Sequence, residues 1–168
     1  IYKTWRKVFN EYDPPRVAVA EAWVHANRRA RYASTEGLGQ SFSFDLLGTP
    51  WNLKKFKSTI DYNLKTSAET GSSNTWVFSN HDVIRHATRF GLDDESLKNL
   101  PKWFRSADRE SKINKELGLA RARAATTLIL ALPGSTYLYQ GEELGLHEPL
   151  NIPSDQMQDP QWFRQEGS

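Results

Sequence analysis

Short apolar or alternating runs along the chain predict four β-strands. They cover residues 17–21, 41–46, 75–79 and 136–139. The run from Val17 to Ala20 has no polar alternation, which is typical of a strand buried on both faces. The second run alternates Ser and Phe before Leu46 and Leu47 extend it, which also favours a strand. We therefore expect a sheet that is covered on both sides.

Helical spacing of apolar residues predicts helices before and between these strands. The predicted helices lie within residues 1–12, 27–34, 51–69 and 117–131. The first ends before Pro14 and Pro15, the third at the turn that contains Gly71, and the last at Pro133-Gly134. The tail, residues 148–168, has little periodicity and is predicted to be a long loop or the truncated continuation of the last unit.

Strand, loop and helix repeat in this order, which implies a parallel sheet with helices outside it. The predicted fold class is therefore α/β. Four such strands are half of the eight that form a (β/α)8 TIM barrel, and a complete barrel typically needs about 250 residues. The chain is thus expected to be a fragment of a barrel.

Composition narrows the class of partner. With 38% apolar and 25% charged residues, the chain has the composition expected of a soluble globular protein. Its 22 basic and 20 acidic residues are scattered and give a net charge of +2, so we expect neither a nucleic-acid nor a membrane partner. The absence of cysteine excludes a disulfide framework and a Cys-ligated zinc site within the chain. We expect a cytoplasmic location.

Acidic and polar residues follow three of the predicted strands. They are Glu21, the triplet Asn80-His81-Asp82, and the pair Glu142 and Glu143. The carboxyl ends of parallel strands form the working face of α/β folds, so this placement suits catalysis.

Each of these residues also has a plain structural explanation. Glu21 could cap the turn into the next helix or pair with Arg28. Asn80 and Asp82 are both good N-cap residues, and His81 could be a core histidine with satisfied hydrogen bonds. The two glutamates after the last strand could be first-turn acids of a helix. Taken singly, the residues leave both explanations open.

Taken together, the motifs resemble the alpha-amylase family of glycoside hydrolases. Residues 17–21 are similar to the family's fifth barrel strand, which ends in its general acid. Residues 76–82 resemble the seventh strand with its Asn-His-Asp triplet, and residues 132–145 look like the eighth strand and its loop. The resemblance extends across essentially the whole chain in the correct order.

Smaller motifs are similar to one branch of this family, the bacterial α-glucosidases and oligo-1,6-glucosidases. They are Asn80-His-Asp-Val-Ile-Arg85, Arg89-Phe-Gly91 and Gln158-Asp-Pro160. Trehalose synthases and sucrose isomerases share much of this half of the barrel. The resemblance implies that the chain covers roughly strands 5 to 8, with residues 1–147 forming the C-terminal half of the barrel. The N-terminal half, with the nucleophilic aspartate, would lie before Ile1 and would be the partner that this half needs.

The resemblance implies a retaining glycoside hydrolase that releases α-linked glucose from small oligosaccharides by double displacement. Glu21 would be the general acid and later the base, and Asp82 would stabilise positive charge on the sugar. His81 and Arg85 would bind the α-glucoside substrate. No cofactor and no metal is implied. The acid role requires burial and neighbouring carboxylates that keep a proton available near neutral pH.

Three further residues have two interpretations each. Arg85 could face the pocket together with Asp82 if a helical turn starts there, or form a surface salt bridge. Trp23 and Phe44 either wall the sugar site or pack in the core.

The residues leave two other functions open besides hydrolysis. One is glucosyl transfer or isomerisation through the same intermediate, and another is a non-catalytic amylase-like interaction domain. The presence of both Glu21 and Asp82 argues against the interaction domain, since such a domain has no chemical need for either. Because a half-barrel has open edge strands and would lack the nucleophile, we expect residues 1–168 alone to be catalytically inactive.

Overall fold

The chain alternates helices with short parallel strands. The structure, a computed structural model, describes residues 1–158 and residue 160. Within these residues the strands are β1 (Ala18–Ala20), β2 (Gly39–Ser41), β3 (Thr75–Trp76) and β4 (Ser135–Thr136). They are shorter than the apolar runs that predict them, because the remaining residues of these runs lie in loops or, in the second run, in a short helix at Phe44–Leu47.

The strands of the described residues form two pairs, and both pairs are parallel. β1 pairs with β2 over three residues, and β3 pairs with β4 over two. A parallel bridge between Ser43 and Trp76 joins the two pairs. The predicted parallel arrangement is therefore confirmed, and the carboxyl ends of all four strands lie along one edge of the sheet.

Eight α-helices accompany these strands in the described residues. They are α1 (Tyr2–Phe9), α2 (Ala26–Ala33), α3 (Phe44–Leu47), α4 (Leu53–Thr70), α5 (His86–Arg89), α6 (Asp94–Lys98), α7 (Leu100–Arg105) and α8 (Lys115–Ala131), with 3-10 turns at Arg109–Lys112 and Ser154–Gln156. The four helices predicted from spacing are confirmed as α1, α2, α4 and α8. No helix of the described residues is long and apolar enough to cross a membrane.

The two long helices begin and end at residues suited to caps. The Asn52 side chain accepts a hydrogen bond from Lys55 N at the start of α4, and Asn114 does the same for α8. Gly71 ends α4 with φ of 65°, a left-handed conformation that glycine adopts without strain. These local signals explain why the predicted bounds of both helices lie within about two residues of the observed ones.

The predicted position of the second strand is wrong. β2 ends at Ser41, and Leu46 and Leu47 belong to α3 instead. Both leucines are 0% exposed, Leu46 in the core around Phe56 and Leu47 against Val77. A short helix that is buried on opposite sides has the same apolar run as a strand, so the run alone does not distinguish them.

The charged segment 93–115, for which the pattern predicts no element, contains α6 and α7. Trp103 on α7 is buried in a second hydrophobic cluster with Leu92, Ile113 and Leu150. Leu150 comes from the predicted tail, so at least the first part of the tail packs on the fold. Asp159 of the family-like triplet 158–160, and residues 161–168 of the tail, lie outside the described residues.

The main core holds β3 between helices α4 and α8. It is formed by Leu46, Phe56, Ile60, Trp76, Phe78, Phe90, Ala125 and Ile129. Trp76 is fully buried, and its indole nitrogen donates to Pro133 O at 2.9 Å. Burying a large apolar side chain contributes about 1.5–3 kcal/mol, so several such residues fix the strand from which the Asn80-His81-Asp82 loop departs.

Candidate active site

Side chains from two different strands meet at the carboxyl edge of the sheet. Glu21 directly follows β1, whereas His81 and Asp82 lie on the loop after β3. One ligand atom from each of these residues, a carboxylate oxygen or a ring nitrogen, lies within 4.8 Å of the other two. All three side chains are exposed, and His81 Nε2 is 3.6 Å from Asp82 Oδ1. Glu21 and Asp82 thus lie at the same end of the sheet, where they were predicted.

The loop after β3 is shaped by a local turn. Asn80 Oδ1 accepts a hydrogen bond from Asp82 N at 3.0 Å, so the asparagine side chain folds the backbone back on itself. The N-cap explanation of Asn80 and Asp82 is wrong, because α5 begins only at His86. Asn80 Nδ2 is buried and has no hydrogen-bond partner within the described part of the chain.

The spacing of Glu21, His81 and Asp82 has two chemical meanings. Carboxylate oxygens and imidazole nitrogens are common ligands for divalent cations, and in the described residues no other group of three such ligands is this close. The same atoms can also exchange hydrogen bonds with the hydroxyl groups of a sugar. The geometry by itself therefore suits either a cation or a polyhydroxylated ligand.

Arg85 is directed at the loop after β4. Its Nη1 donates to Gln140 O at 2.7 Å, and its guanidinium carbon lies 4.7 Å from the centre of the Tyr139 ring. Residues 81–83 form a turn and a bend rather than a helix, so the helical turn that would align Arg85 with Asp82 is absent. The ion pairs of the described residues include none that Arg85 forms, so the surface salt bridge is not found there either.

Trp23 and Phe44 form a stacked pair, with their ring centres 4.2 Å apart. Phe44 is buried in the core, whereas Trp23 is 60% exposed. Phe44 therefore packs in the core, as one of its two interpretations predicts. Trp23 instead presents a ring to solvent two positions after Glu21.

A buried polar cluster that the sequence does not predict lies behind the loop after β3. Ser79 Oγ is 2.8 Å from His86 Nδ1, and on the other side of the imidazole His86 Nε2 is 3.6 Å from Glu142 Oε1. The His86 and Glu142 side chains are 3% and 2% exposed. Glu142 belongs to a turn after β4, so the explanation of Glu142 and Glu143 as first-turn acids of a helix is wrong.

Burial sets the charge states in this cluster. It lowers the pKa of His86 to about 4, and the nearby charges of Arg89 and Arg85 act in the same direction. Burial likewise raises the pKa of Glu142, against hydrogen bonds from Tyr139 N and Thr126. The His86 ring is therefore neutral near neutral pH.

A cavity of about 380 Å³ lies beside this cluster, between α8 and the loops after β3 and β4. Its lining includes Ser79, His86, Glu142, Leu144 and Leu146. Glu21, His81 and Asp82 do not line it, so the cavity and the group of exposed side chains are separate features of the sheet edge.

Comparison with known proteins identifies a family and several relatives. The family described as "Alpha amylase, catalytic domain" matches residues 1–167. An "Alpha-glucosidase" of Apis mellifera is 25% identical over 166 residues, which are 96% of this chain and 24% of that protein. An "Oligo-1,6-glucosidase IMA5" of Saccharomyces cerevisiae is 31% identical over 97 residues, 58% of this chain and 13% of that protein.

A solved structure gives a similar result. It is described as an alpha-glucosyl transfer enzyme, XgtA, and it superposes with a TM-score of 0.68 at 28% identity over 95% of this chain. The match covers 25% of that chain. The sequence thus spans about a quarter of the length of XgtA and of the bee protein.

Proposed function

Since the chain belongs to the alpha-amylase family, we propose that the protein is a retaining glycoside hydrolase that releases α-linked glucose from small oligosaccharides. The observation that carries the proposal is the meeting of Glu21, His81 and Asp82, whose ligand atoms lie within 4.8 Å of one another at the carboxyl edge of the sheet. Glu21 supplies one of the two carboxylates that cleavage of a glycosidic bond requires. Asp82 adds a second carboxylate that can stabilise charge on the sugar, and His81 adds a hydrogen-bonding group. The curated relatives named as glucosidases support the substrate class.

In the proposed reaction Glu21 donates its proton to the glycosidic oxygen as the bond between that oxygen and the anomeric carbon breaks. A carboxylate outside these residues attacks the anomeric carbon and forms a glycosyl ester. Water then displaces this carboxylate while Glu21 takes the proton from the water. The Asp82 carboxylate stabilises the positive charge that develops on the sugar ring.

The proposal extends to the rest of the barrel. Glu21 is exposed in the described residues, whereas a general acid needs a surrounding that keeps it protonated near neutral pH. We place residues 1–147 as strands 5 to 8 of a (β/α)8 barrel with their helices, and residues 148–168 as the continuation of its last unit. The N-terminal half then closes the barrel, supplies the nucleophile and covers Glu21.

Substrate binding is assigned to three side chains. His81 lies beside Asp82, and its imidazole is exposed and able to donate to a sugar hydroxyl. The exposed Trp23 ring, two positions after Glu21 in the chain, offers an apolar face, on which the C–H face of a sugar can stack. Arg85 takes part in binding indirectly. It donates a hydrogen bond to Gln140 O and thereby holds the loop after β4.

A second candidate is glucosyl transfer. The structural relative XgtA is described as an alpha-glucosyl transfer enzyme. The same glycosyl ester gives transfer when a sugar hydroxyl replaces water as the acceptor, so the first half of the mechanism is unchanged.

The test uses the full-length protein with p-nitrophenyl α-glucoside, maltose and isomaltose. We expect release of glucose, loss of most turnover in Asp82→Asn, and no effect of a chelator, which separates a sugar site from a cation site. Products longer than the substrate at low substrate concentration would favour transfer. A folded full-length protein without turnover on any α-glucoside would contradict the proposal.

A further inference from the structure

The loop after β3 leaves the core at Ser79 and re-enters it at His86. Both residues are buried, 2% and 3% exposed, whereas His81 and Asp82 between them are exposed. Ser79 Oγ is 2.8 Å from His86 Nδ1 and accepts a hydrogen bond from His86 N at 3.0 Å. One hydroxyl thus holds both the ring and the backbone of the residue seven positions later. We call this pair the Ser79–His86 clasp.

The far side of the imidazole is also held. His86 Nε2 is 3.4 Å from Thr126 Oγ1 and 3.6 Å from Glu142 Oε1. Glu142 Oε2 in turn accepts a hydrogen bond from Tyr139 N at 3.0 Å. The imidazole therefore connects the loop after β3 to α8 and to the turn after β4.

The contacts indicate one tautomer. Thr126 Oγ1 donates to Glu142 Oε1 at 3.3 Å, so it accepts at Nε2, which is 3.4 Å away, and we assign the ring proton to Nε2. Nδ1 is then free to accept the hydroxyl proton of Ser79. A neutral ring in this tautomer satisfies both sides at once, and a buried pair that is fully satisfied is rigid.

Asp82 depends on this loop for its position. Its backbone is held by Asn80 Oδ1, but its carboxylate is exposed and, among the described residues, lies near His81 and Glu21, which are themselves exposed. We propose that Ser79 and His86 are positioning residues for Asp82, because the clasp closes the loop that carries this carboxylate. The inference rests on the proposed function, in which Asp82 stabilises charge on the sugar.

The proposal predicts how activity fails when the clasp is removed. Ser79→Ala in the full-length protein should lower kcat about 10- to 100-fold, the effect of a displacement of roughly 1 Å at a preorganised site. The loss should be the same for p-nitrophenyl α-glucoside and for maltose, because Asp82 acts on the sugar and not on the leaving group. KM should change less than kcat.

A double-variant measurement shows whether the clasp acts through Asp82. In an Asp82→Asn background, Ser79→Ala should cause no further loss, because the carboxylate that it positions is already gone. The reference substrate is α-glucosyl fluoride, whose good leaving group keeps the residual turnover measurable. His86→Asn keeps an acceptor near the position of Nδ1, so it should retain more activity than His86→Leu.

Ser43→Ala is the matched control. Ser43 is a buried serine whose hydroxyl donates to Asn63 Oδ1 at 2.8 Å, outside the loop that carries Asp82. The same chemical change there should lower Tm without changing kcat. Tm and circular dichroism of every variant check that the comparison is between folded proteins.

Each result has a fixed meaning. A Ser79→Ala protein with lowered Tm but wild-type kcat overturns the inference, and so does an equal loss in the presence and absence of Asp82. If Ser79→Ala does not fold, the comparison of His86→Asn with His86→Leu decides, and equal activities overturn the inference. A wild-type protein without glycosidase activity overturns the proposed function and the inference together.

Discussion

Glu21 and Asp82 reach one edge of the sheet from different strands, so their amide variants separate two kinds of catalysis. Glutamine cannot donate a proton, so Glu21→Gln should lose most activity on maltose, which has a poor leaving group. It should lose least on α-glucosyl fluoride. General acid catalysis is worth about 10²- to 10⁴-fold, which sets the size of the difference. Asp82→Asn should slow both substrates alike, because it removes charge stabilisation at the sugar.

The measurement is kcat/KM for both variants over a series of leaving groups. Equal losses of Glu21→Gln on fluoride and maltose would show that Glu21 is not the acid. Near-native rates in Asp82→Asn would show that the loop residue has no part in catalysis.

The buried imidazole of His86 should make the stability of the protein depend on pH. Its pKa falls from 6.5 to about 4 on folding, so between these values the unfolded chain binds more protons than the folded one. The free energy of unfolding should therefore decrease as pH falls from 7 to 4, by about 3 kcal/mol for a shift of this size. Glu142 acts in the opposite direction, because its pKa is raised in the fold.

The comparison of wild type with His86→Asn isolates the histidine, since asparagine does not titrate. Urea unfolding at pH 7, 5.5 and 4 should show the wild type losing more stability than the variant on acidification. Curves that stay parallel over this range would contradict the buried neutral state of His86.

Among single residues, the sequence predicts Glu21, His81 and Asp82, because each belongs to a family-like motif at the end of a predicted strand. It does not predict the contacts of Arg85 with Gln140 and Tyr139, because these depend on side-chain conformations in two loops that are distant in the chain. For the same reason the burial of His86 against Glu142 is not visible in the sequence.

Helices whose apolar residues recur over two or more turns were predictable, and the shorter helices were not. Helices α4 and α8 have both the spacing and the caps of a helix. Helix α3 has four residues, about one helical turn, so its pattern carries no period. Helices α6 and α7 lie in a charged segment that packs through Trp103 and through the partly buried Leu97, Leu100 and Phe104.

Helices α5 and α8 pack closely enough to exclude a methyl group. A Cβ atom at Gly118 would lie 2.2 Å from Ala87 O and 3.1 Å from Gly91 Cα. Gly118→Ala should therefore lower the free energy of unfolding by about 1–3 kcal/mol, in spite of the better helix propensity of alanine. Gly48→Ala is the control, because its nearest heavy atom would be 3.9 Å away.

Denaturant unfolding of both glycine variants measures the difference. Gly48→Ala should change stability by no more than a few tenths of a kcal/mol, about the usual range for an open surface site. A Gly118→Ala protein as stable as the wild type would show that the two helices can separate without loss.

For the whole molecule, the order of the strands was predictable because repeated strand and helix units allow few topologies. The closure of a barrel was not, since the outer edges of β1 and β4 have no strand partner among the described residues. Pairing at those edges depends on segments that a local pattern does not contain.

A polypeptide of residues 1–168 should have no glucosidase activity if, as proposed, the attacking carboxylate lies elsewhere in the protein. Without it no glycosyl ester forms, and the two-step reaction cannot begin. The full-length protein, assayed beside it on p-nitrophenyl α-glucoside, should be active. Turnover by the shorter polypeptide at a comparable rate would contradict the proposed mechanism.

The exposed ring of Trp23 makes the protein its own optical reporter. Trp76 and Trp103 are buried, whereas Trp5 and Trp51 are exposed like Trp23. A sugar stacked on Trp23 would remove water from its ring and shift its emission to shorter wavelength, so the signal of this site is the part of the shift that Trp23 contributes. Titration of full-length Asp82→Asn with maltose should show this blue shift, and the further substitution Trp23→Phe should abolish it. A shift that persists in Trp23→Phe would place the sugar elsewhere.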